Sequence, residues 1–387
     1  MWFFRAPTIA YGDDALSHLA SLEGKRALIV TDANMVKLGV TDKVAGPLAS
    51  GGMEVRIFSE VEPDPSLDTV NNAAAVAREF DADWIVGLGG GSAMDTAKMV
   101  RILTERRDLT AMECNPVEPM NLQNLVKLCT IPTTSGTGAE VGWACVVTDR
   151  AENRKLVLGS MDSYPEVAIV DPALAAGMPA WLTADTGMDA LVHAIEIYTG
   201  LWHNDFVDGP ALQAIRLVFD FLPRAYADGS DMEARERMAN AATLAGFGLA
   251  NANCGLAHAL AHSLGGVFHP PHGRTTSVFL PYTTEYIIRE APERYADIAR
   301  FLGLPGTTDQ ERAAALVTAI RELRAKVGHP ISVKELNVPE PEFRDSLPHI
   351  VESAQQDATM FNSARVPSTE EVERLFEYSY AGQPIDF

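Results

Sequence analysis

Cysteine is scarce in this chain. It has four, Cys114, Cys129, Cys145 and Cys254, and no C-x-x-C pair. The missing pair rules out a thioredoxin-type motif, and the scatter fits reduced, mostly buried thiols in a cytoplasmic protein better than a disulfide framework. Long apolar runs are missing too. No stretch approaches the roughly 18 residues of a membrane span, and the opening "MWFFRAPTIAYGDD" lacks the apolar core of a signal peptide. No membrane is therefore expected as a partner. Positive charge is the third shortage, with 31 Lys and Arg against 52 Asp and Glu and a net charge of −21. Such a surface repels polyanions, so no nucleic-acid partner is expected. What remains is globular: 387 residues, 47% hydrophobic and 21% charged, enough for a large core and for two domains or one large one with lobes.

The first part of the chain alternates. "RALIVTD" (26–32), "EVRIFSEV" (54–61), "DWIVGLGGGS" (83–92) and "LVKLCTIPTT" (125–134) read as strands, and "TVNNAAAVAREF" and "AMDTAKMVRILTER" as helices between them. This rhythm predicts a parallel sheet with helices on its faces. "ACVVTD" and "KLVLGS" predict a hairpin around the charged turn 150–154. After "VAIVDPALAAGMPAW" (167–181) the pattern is helical only, through 183–199, 206–227, 231–252, 256–266 and 274–288 and on to about 380. The expected organisation is an α/β domain over 1–180 and an all-helical domain over 181–387.

"GLGGGSAMDTAK" (87–98) places a glycine run between a strand and a helix. Glycines let backbone N–H groups approach a phosphate, and the helix N-terminus adds partial positive charge. Gly90, Gly91 and Ser92 are the natural cradle. The run fits neither G-x-G-x-x-G nor the P-loop pattern, and a plain tight turn would use the same residues. "IPTTSGTGAEV" (131–141) is a second small-residue loop after a strand, with Thr133, Thr134, Ser135 and Thr137 able to bond a ribose or phosphate. Two such loops point to a nucleotide crevice at the carboxyl ends of the strands. Asp32 closes the first strand, where a carboxylate bonds ribose hydroxyls and repels a 2′-phosphate. That favours NAD over NADP.

Four of the nine histidines, His258, His262, His269 and His272, fall in "GLAHALAHSLGGVFHPPHG" (255–273). Asp189 and His193 are i and i+4 in "TADTGMDALVHAIEIYTG" (183–200), and His258 and His262 repeat that spacing on a second helix. A carboxylate plus imidazoles from two helices makes a divalent metal site. Neither histidine pair encloses the glutamate of a zinc protease. Spacing alone leaves open which imidazoles bind, and His269, beside the prolines, can point away.

Taken together and in order, "GGGSAMDTAK", "PTTSGTGAEV", "GMDALVHAIE" and "HALAHSLGGVFHPPHG" resemble the iron-containing, or group III, alcohol dehydrogenase family. The resemblance runs from "ALIVTDANMVKLGV" to "NSARVPSTEEVERLF". It implies a dinucleotide-binding α/β domain followed by a helical metal domain, of dehydroquinate synthase-like architecture, with the active site in the cleft. By motif position, the metal ligands fall on Asp189, His193, His258 and His272. His262 falls near the nicotinamide as a proton relay or positioning residue. Cofactor contacts fall on Asp32, Gly90, Gly91, Ser92, Thr133, Thr134 and Thr137, with Lys155 reaching the nicotinamide ribose. Asp95 and Lys98 shape the turn.

The implied reaction is hydride exchange between NAD and a small to medium primary alcohol or diol, with Fe²⁺ as the metal and Zn²⁺ as the alternative. A homodimer or larger even homo-oligomer is implied as well. Two departures bear on substrate: Trp143 in "EVGWACVVTD", and "DATMFNSAR" (357–365) in place of a glycine-rich stretch. Met360 and Phe361 there narrow the substrate pocket or belong to the core. The rivals are a glycerol dehydrogenase-like polyol oxidoreductase, a dehydroquinate synthase-like lyase, and a non-catalytic metal- and nucleotide-binding protein. The lyase would need several Lys and Arg near the metal, whereas the ligand helices offer only Arg274.

Overall fold

The computed structural model describes residues 4–116, 118–152 and 154–387. The chain divides into two compact units, Met1–Gly177 and Met178–Phe387.

The first unit carries strands β1 (Thr8–Tyr11), β2 (Arg26–Val30), β3 (Glu54–Phe58), β4 (Trp84–Gly89), β5 (Lys127–Pro132), β6 (Ala144–Asp149), β7 (Arg154–Gly159) and β8 (Val167–Val170). Six of them form one sheet in the order β1-β8-β5-β4-β2-β3, every pairing parallel. β6 and β7 form the separate antiparallel hairpin. Helices α1 (Ala33–Lys37), α2 (Val40–Ser50), α3 (Leu67–Phe80), α4 (Gly91–Glu105) and α5 (Pro172–Ala175) complete the unit.

The strands read as unbroken apolar runs because both sheet faces are covered. Ile29, Val86, Leu88, Ile131 and Ile169 pack with Val44 and Leu48 of α2 on one face. Leu28, Val30, Ile85 and Leu128 pack with Ala73 and Ala77 of α3 and Val100 of α4 on the other. Strand β1 is announced by no sequence pattern. Its four residues pair with β8, with Thr8 opposite Val167, a partnership too distant along the chain for any local period to signal.

The order of the strands positions the site. Strand β2 is followed outward by β3, and the chain then returns to place β4 on the other side of β2. This reversal leaves the loops after β2 and β4 side by side at the carboxyl edge, where α/β sheets bind ligands.

The second unit holds no strand among its described residues. Its helices are α6 (Ala180–Thr199), α7 (Asp205–Ala227), α8 (Met232–Asn251), α9 (Leu256–Phe268), α10 (His272–Ile287), α11 (Glu293–Leu302), α12 (Asp309–Lys326), α13 (Glu340–Gln356) and α14 (Thr369–Ala381). Helix α6 is buried along nearly its whole length and packs against α7, α8 and α10. That is why "MDALVHAIEI" is apolar all round apart from its functional positions. Capping boxes at Thr308–Glu311 and Ser368–Glu371 set the starts of α12 and α14. No helix among the described residues is long and apolar enough to cross a membrane.

Candidate metal centre and nucleotide cradle

Within the helical unit, α6 presents Asp189 and His193 one turn apart, α9 presents His258 and His262, and His272 opens α10. The fold gathers all five. The rings of His193 and His258 stack with centroids 4.6 Å apart, those of His258 and His272 lie 5.6 Å apart, and those of His262 and His272 stack at 5.5 Å. Asp189 Oδ2 lies 3.9 Å from His193 Nδ1, and Asp189 Oδ1 lies 3.7 Å from His272 Nε2. One donor atom each from Asp189, His258 and His272 lies within 4.8 Å of the other two. Asp189, His193 and His258 are buried.

Glu196, three residues after His193 on α6, sets the chemistry of His258. Its Oε2 bonds His258 Nδ1 at 2.5 Å, and its two oxygens accept the N–H groups of Gly255 and Ala257 at 2.9 and 2.6 Å. With Nδ1–H directed at the carboxylate, the hydrogen bond assigns the lone pair to Nε2. That Nε2 is buried and has no hydrogen-bond partner. Leaving such an atom unmatched costs about 1–3 kcal/mol, and a cation among these donors would remove the deficit. The orphaned nitrogen, a buried carboxylate and two further imidazoles therefore fit a divalent metal.

Two of these groups, Asp189 and His272, are held in the form that binds metal. At His193 and His258 the burial that would lower their pKa values is outweighed by the neighbouring Asp189, Cys254 and Glu196, which raise them, so an ion seated there would displace protons. Burial alone would raise the pKa of Asp189, but His193, His272, His258 and the Thr276 hydroxyl outweigh it, and the pKa is lowered. Thr276 Oγ1 donates to Asp189 Oδ1 at 2.9 Å. Desolvation among the packed rings pushes His272 down to about 3 against the pull of Asp189, although its side chain stays 40% exposed along one edge. It is neutral, the form that binds metal.

The helices are held from behind. Asp185, one turn before Asp189, accepts from Arg274 Nε at 2.9 Å and pairs with His329 Nε2 at 2.8 Å, while His329 Nδ1 meets Ser277 Oγ at 2.5 Å. This buried network ties α6 to α10. At Gly273 a Cβ would stand 2.3 Å from the Asp185 carbonyl oxygen and 3.0 Å from Asp189 Cβ. Only glycine lets α10 start so close to α6.

His262 lies beside the cluster, 35% exposed, with Nδ1 2.8 Å from Asp357 Oδ2. Burial would raise the Asp357 pKa, but His262 and Thr359 hold it well below the ordinary carboxylate value. His269 caps the end of α9 in the left-handed region, φ 53°, and is exposed. Met360 is buried in the helical core, whereas Phe361 is 57% exposed.

In the α/β unit the glycine turn and the threonine loop adjoin. The Thr133 N–H bonds the Gly89 carbonyl at 2.9 Å. A Cβ on Gly90 would lie 3.6 Å from Thr134, and one on Gly91 3.2 Å from Thr137 Cγ2. Gly90 is the N-cap of α4 and offers no side-chain cap, so the first N–H groups of that helix stay open. Ser92 follows in the first turn. Ser135 Oγ is buried without a partner. This is a cradle that side chains would fill, and it fits a phosphate-bearing cofactor.

Asp32 caps α1, its Oδ1 accepting from Asn34 N and Met35 N at 2.7 and 3.3 Å. Its Oδ2 lies 3.6 Å from the place a Gly89 Cβ would occupy. Lys155 is on β7 with Nζ 2.7 Å from Asp64 Oδ1, in an exposed ion pair. Asp95 accepts from Val146 N, and Lys98 donates to Asp95 and to the Ala144 carbonyl. These two pin the hairpin to α4.

Three residues near the metal centre carry little or no signal in the sequence. Glu196 continues the face of Asp189 and His193 at i+7 and i+3, so helical spacing could have found it. Asp357 meets His262 across 95 positions, and no local signal marks it. Cys254 sits in the turn before α9, outside helical register, yet its sulfur lies within 4.8 Å of His193 and His258 donor atoms.

Residues 6–172 match the iron-containing alcohol dehydrogenase family, and residues 183–380 match the Fe-containing alcohol dehydrogenase family, C-terminal. The chain is 40% identical to an NADPH-dependent butanol dehydrogenase of Clostridium saccharobutylicum over 98% of each chain. A crystal structure of a 1,3-propanediol oxidoreductase superposes with a TM-score of 0.92 at 36% identity, over 98% of this chain and 100% of that one. The sulfoacetaldehyde reductase of Bifidobacterium kashiwanohense, in complex with NAD⁺, superposes with a TM-score of 0.88 at 27% identity, covering 98% of each chain. Some relatives are longer proteins, of which the chain spans 46%. With both halves matched in order, and with the imidazoles and carboxylate gathered as described, this chain belongs to the iron-containing alcohol dehydrogenase family of oxidoreductases.

Proposed function

We propose that the protein interconverts small to medium primary alcohols or diols and their aldehydes, using NAD(H) and a bound Fe²⁺, with Zn²⁺ as the alternative ion. The orphaned Nε2 of His258 carries this reading. Asp189, His193, His258 and His272 would hold the ion. When bound, it supplies Lewis acidity toward an alcohol oxygen, and the nicotinamide supplies the hydride acceptor. Glu196 keeps His258 in the metal-binding tautomer, and Thr276 orients Asp189. His262, anchored through Nδ1 by Asp357, takes up the hydroxyl proton at Nε2 and passes it to water through its exposed edge.

Gly90, Gly91 and Ser92 at the α4 N-terminus would receive the pyrophosphate, with Thr133, Thr134 and Thr137 beside it. The Clostridium relative is named for NADPH. Here the Asp32 carboxylate beside Gly89 supports NAD, because a 2′-phosphate would meet its charge. Lys155 is assigned to the cofactor on the resemblance alone. The four cysteines are free and buried, which suits a reducing cytoplasm. An even homo-oligomer completes the reading, and light scattering on the purified chain measures it.

The decisive test loads metal-stripped protein with Fe²⁺ or Zn²⁺ and assays short alcohols, diols and aldehydes with NAD(H) and NADP(H). The expected result is metal-dependent turnover, faster with NAD(H). Absence of turnover in every combination would defeat the proposal.

A further inference from the structure

Cys254 occupies a place that the family assignment leaves unexplained. It lies in the turn between α8, ending at Asn251, and α9, starting at Leu256. That turn is fixed: Asn362 Nδ2 donates to the carbonyls of Asn253 and Cys254 at 2.7 and 3.1 Å, and Asn253 Oδ1 accepts the Cys254 N–H at 2.9 Å. The thiol is buried. Its sulfur, one nitrogen of His193 and one of His258 all lie within 4.8 Å of one another. The imidazole with the unmatched nitrogen belongs to this trio as well as to the trio with Asp189 and His272. His258 is 1% exposed, Glu196 occupies its Nδ1, and its buried Nε2 has no hydrogen-bond partner of good geometry, while the Cys254 thiol interacts with both His193 and His258. The other cysteines lie elsewhere, in apolar clusters of the α/β unit.

We propose that Cys254 gives the centre a second, softer donor face. His193, His258 and the Cys254 sulfur form a three-donor seat for a thiophilic divalent ion, Zn²⁺ or Cd²⁺, overlapping the face built from Asp189, His258 and His272. This rests on the metal-dependent reading above. Thiolate sulfur selects softer ions, and carboxylate oxygen harder ones. The sulfur face shares His258 with the Asp189–His258–His272 face and also draws on His193 of the four-ligand set above, so an ion on one excludes an ion on the other. Binding on the sulfur face exchanges the Cys254 S–H proton for the metal ion and releases that proton to water, with no change of oxidation state. Zn²⁺ held there competes with Fe²⁺ at the other face.

The test strips the full-length protein of metal and titrates it with Co²⁺, following the near-ultraviolet sulfur-to-cobalt charge-transfer band. The wild type is expected to show the band at one equivalent. Cys254→Ser and Cys254→Ala are expected to bind Co²⁺ without it, and Asp189→Asn to strengthen it. In competition, the preference for Zn²⁺ over Fe²⁺ should fall by about 10-fold or more in Cys254→Ser, because loss of the thiolate removes the soft donor and even a partner behind a ligand is worth about 10- to 100-fold. X-ray absorption of the Zn²⁺-loaded wild type needs no variant and should show one sulfur at about 2.3 Å. Bound metal with only nitrogen and oxygen neighbours, or a band surviving in both Cys254 variants, overturns the sulfur face and leaves the metal-dependent reading standing. A wild-type protein that takes up none of Co²⁺, Fe²⁺ or Zn²⁺ overturns both.

Discussion

The two units offer different materials for their candidate sites. The α/β unit uses backbone: open N–H groups at the start of α4, glycines without side chains, and hydroxyls on the neighbouring loop. Its charged candidates already have partners, Asp32 in a helix cap and Lys155 in an ion pair with Asp64. The helical unit uses side chains, placed by helical spacing and braced by a further layer, with Nε2 of His258 left unmatched. A site made of backbone tolerates the loss of any one side chain nearby, whereas a site made of side chains fails when one is removed.

The largest effect is expected from His258→Ala. It should release the metal and lower turnover by about a thousandfold or more, the rate equivalent of several kcal/mol. Metal analysis and kinetics check it, and retained metal with full activity would remove His258 from the ligand set. His262→Ala comes next. It should keep the metal but slow turnover by about 10²- to 10⁴-fold, the usual worth of a positioned proton acceptor, and change the pH profile. Loss of the metal instead would show that relay and ligand had been exchanged.

Glu196→Gln keeps the shape of the carboxylate but removes its charge. Metal affinity should drop about 10- to 100-fold in a chelator competition. An unchanged affinity would mean that the His258 tautomer is set some other way. The smallest effect belongs to the α/β unit. Asp32→Gly should shift the NAD(H) to NADP(H) ratio of kcat/KM by about tenfold toward NADP(H), near the worth of one solvent-screened charge contact, and leave NAD turnover within a few-fold. A collapse of NAD turnover would break the contrast, because a single side chain would then be carrying a site read as backbone.

What the sequence reveals follows the same divide. Helical spacing is a geometric constraint, so the order of residues alone puts Asp189 with His193, and His258 with His262, on shared faces. The covered sheet is legible because strands buried on both faces leave unbroken apolar runs. Long-range pairings are not legible. Strand β1 meets β8, His262 meets Asp357 and Asp185 meets His329 across stretches that no local period spans. Cys254 sits in a turn, where spacing carries no directional meaning. Lys155 can be placed on a strand from its neighbours, but the Asp64 opposite it cannot.

Gly273 has one last consequence. The gap between α6 and α10 is set by main chain pressed against main chain, not by whatever ion sits in it. The seat therefore keeps its width when empty. The protein is expected to be stripped and reloaded repeatedly without refolding, and the ion it carries then reflects both donor preference and supply at the moment of loading.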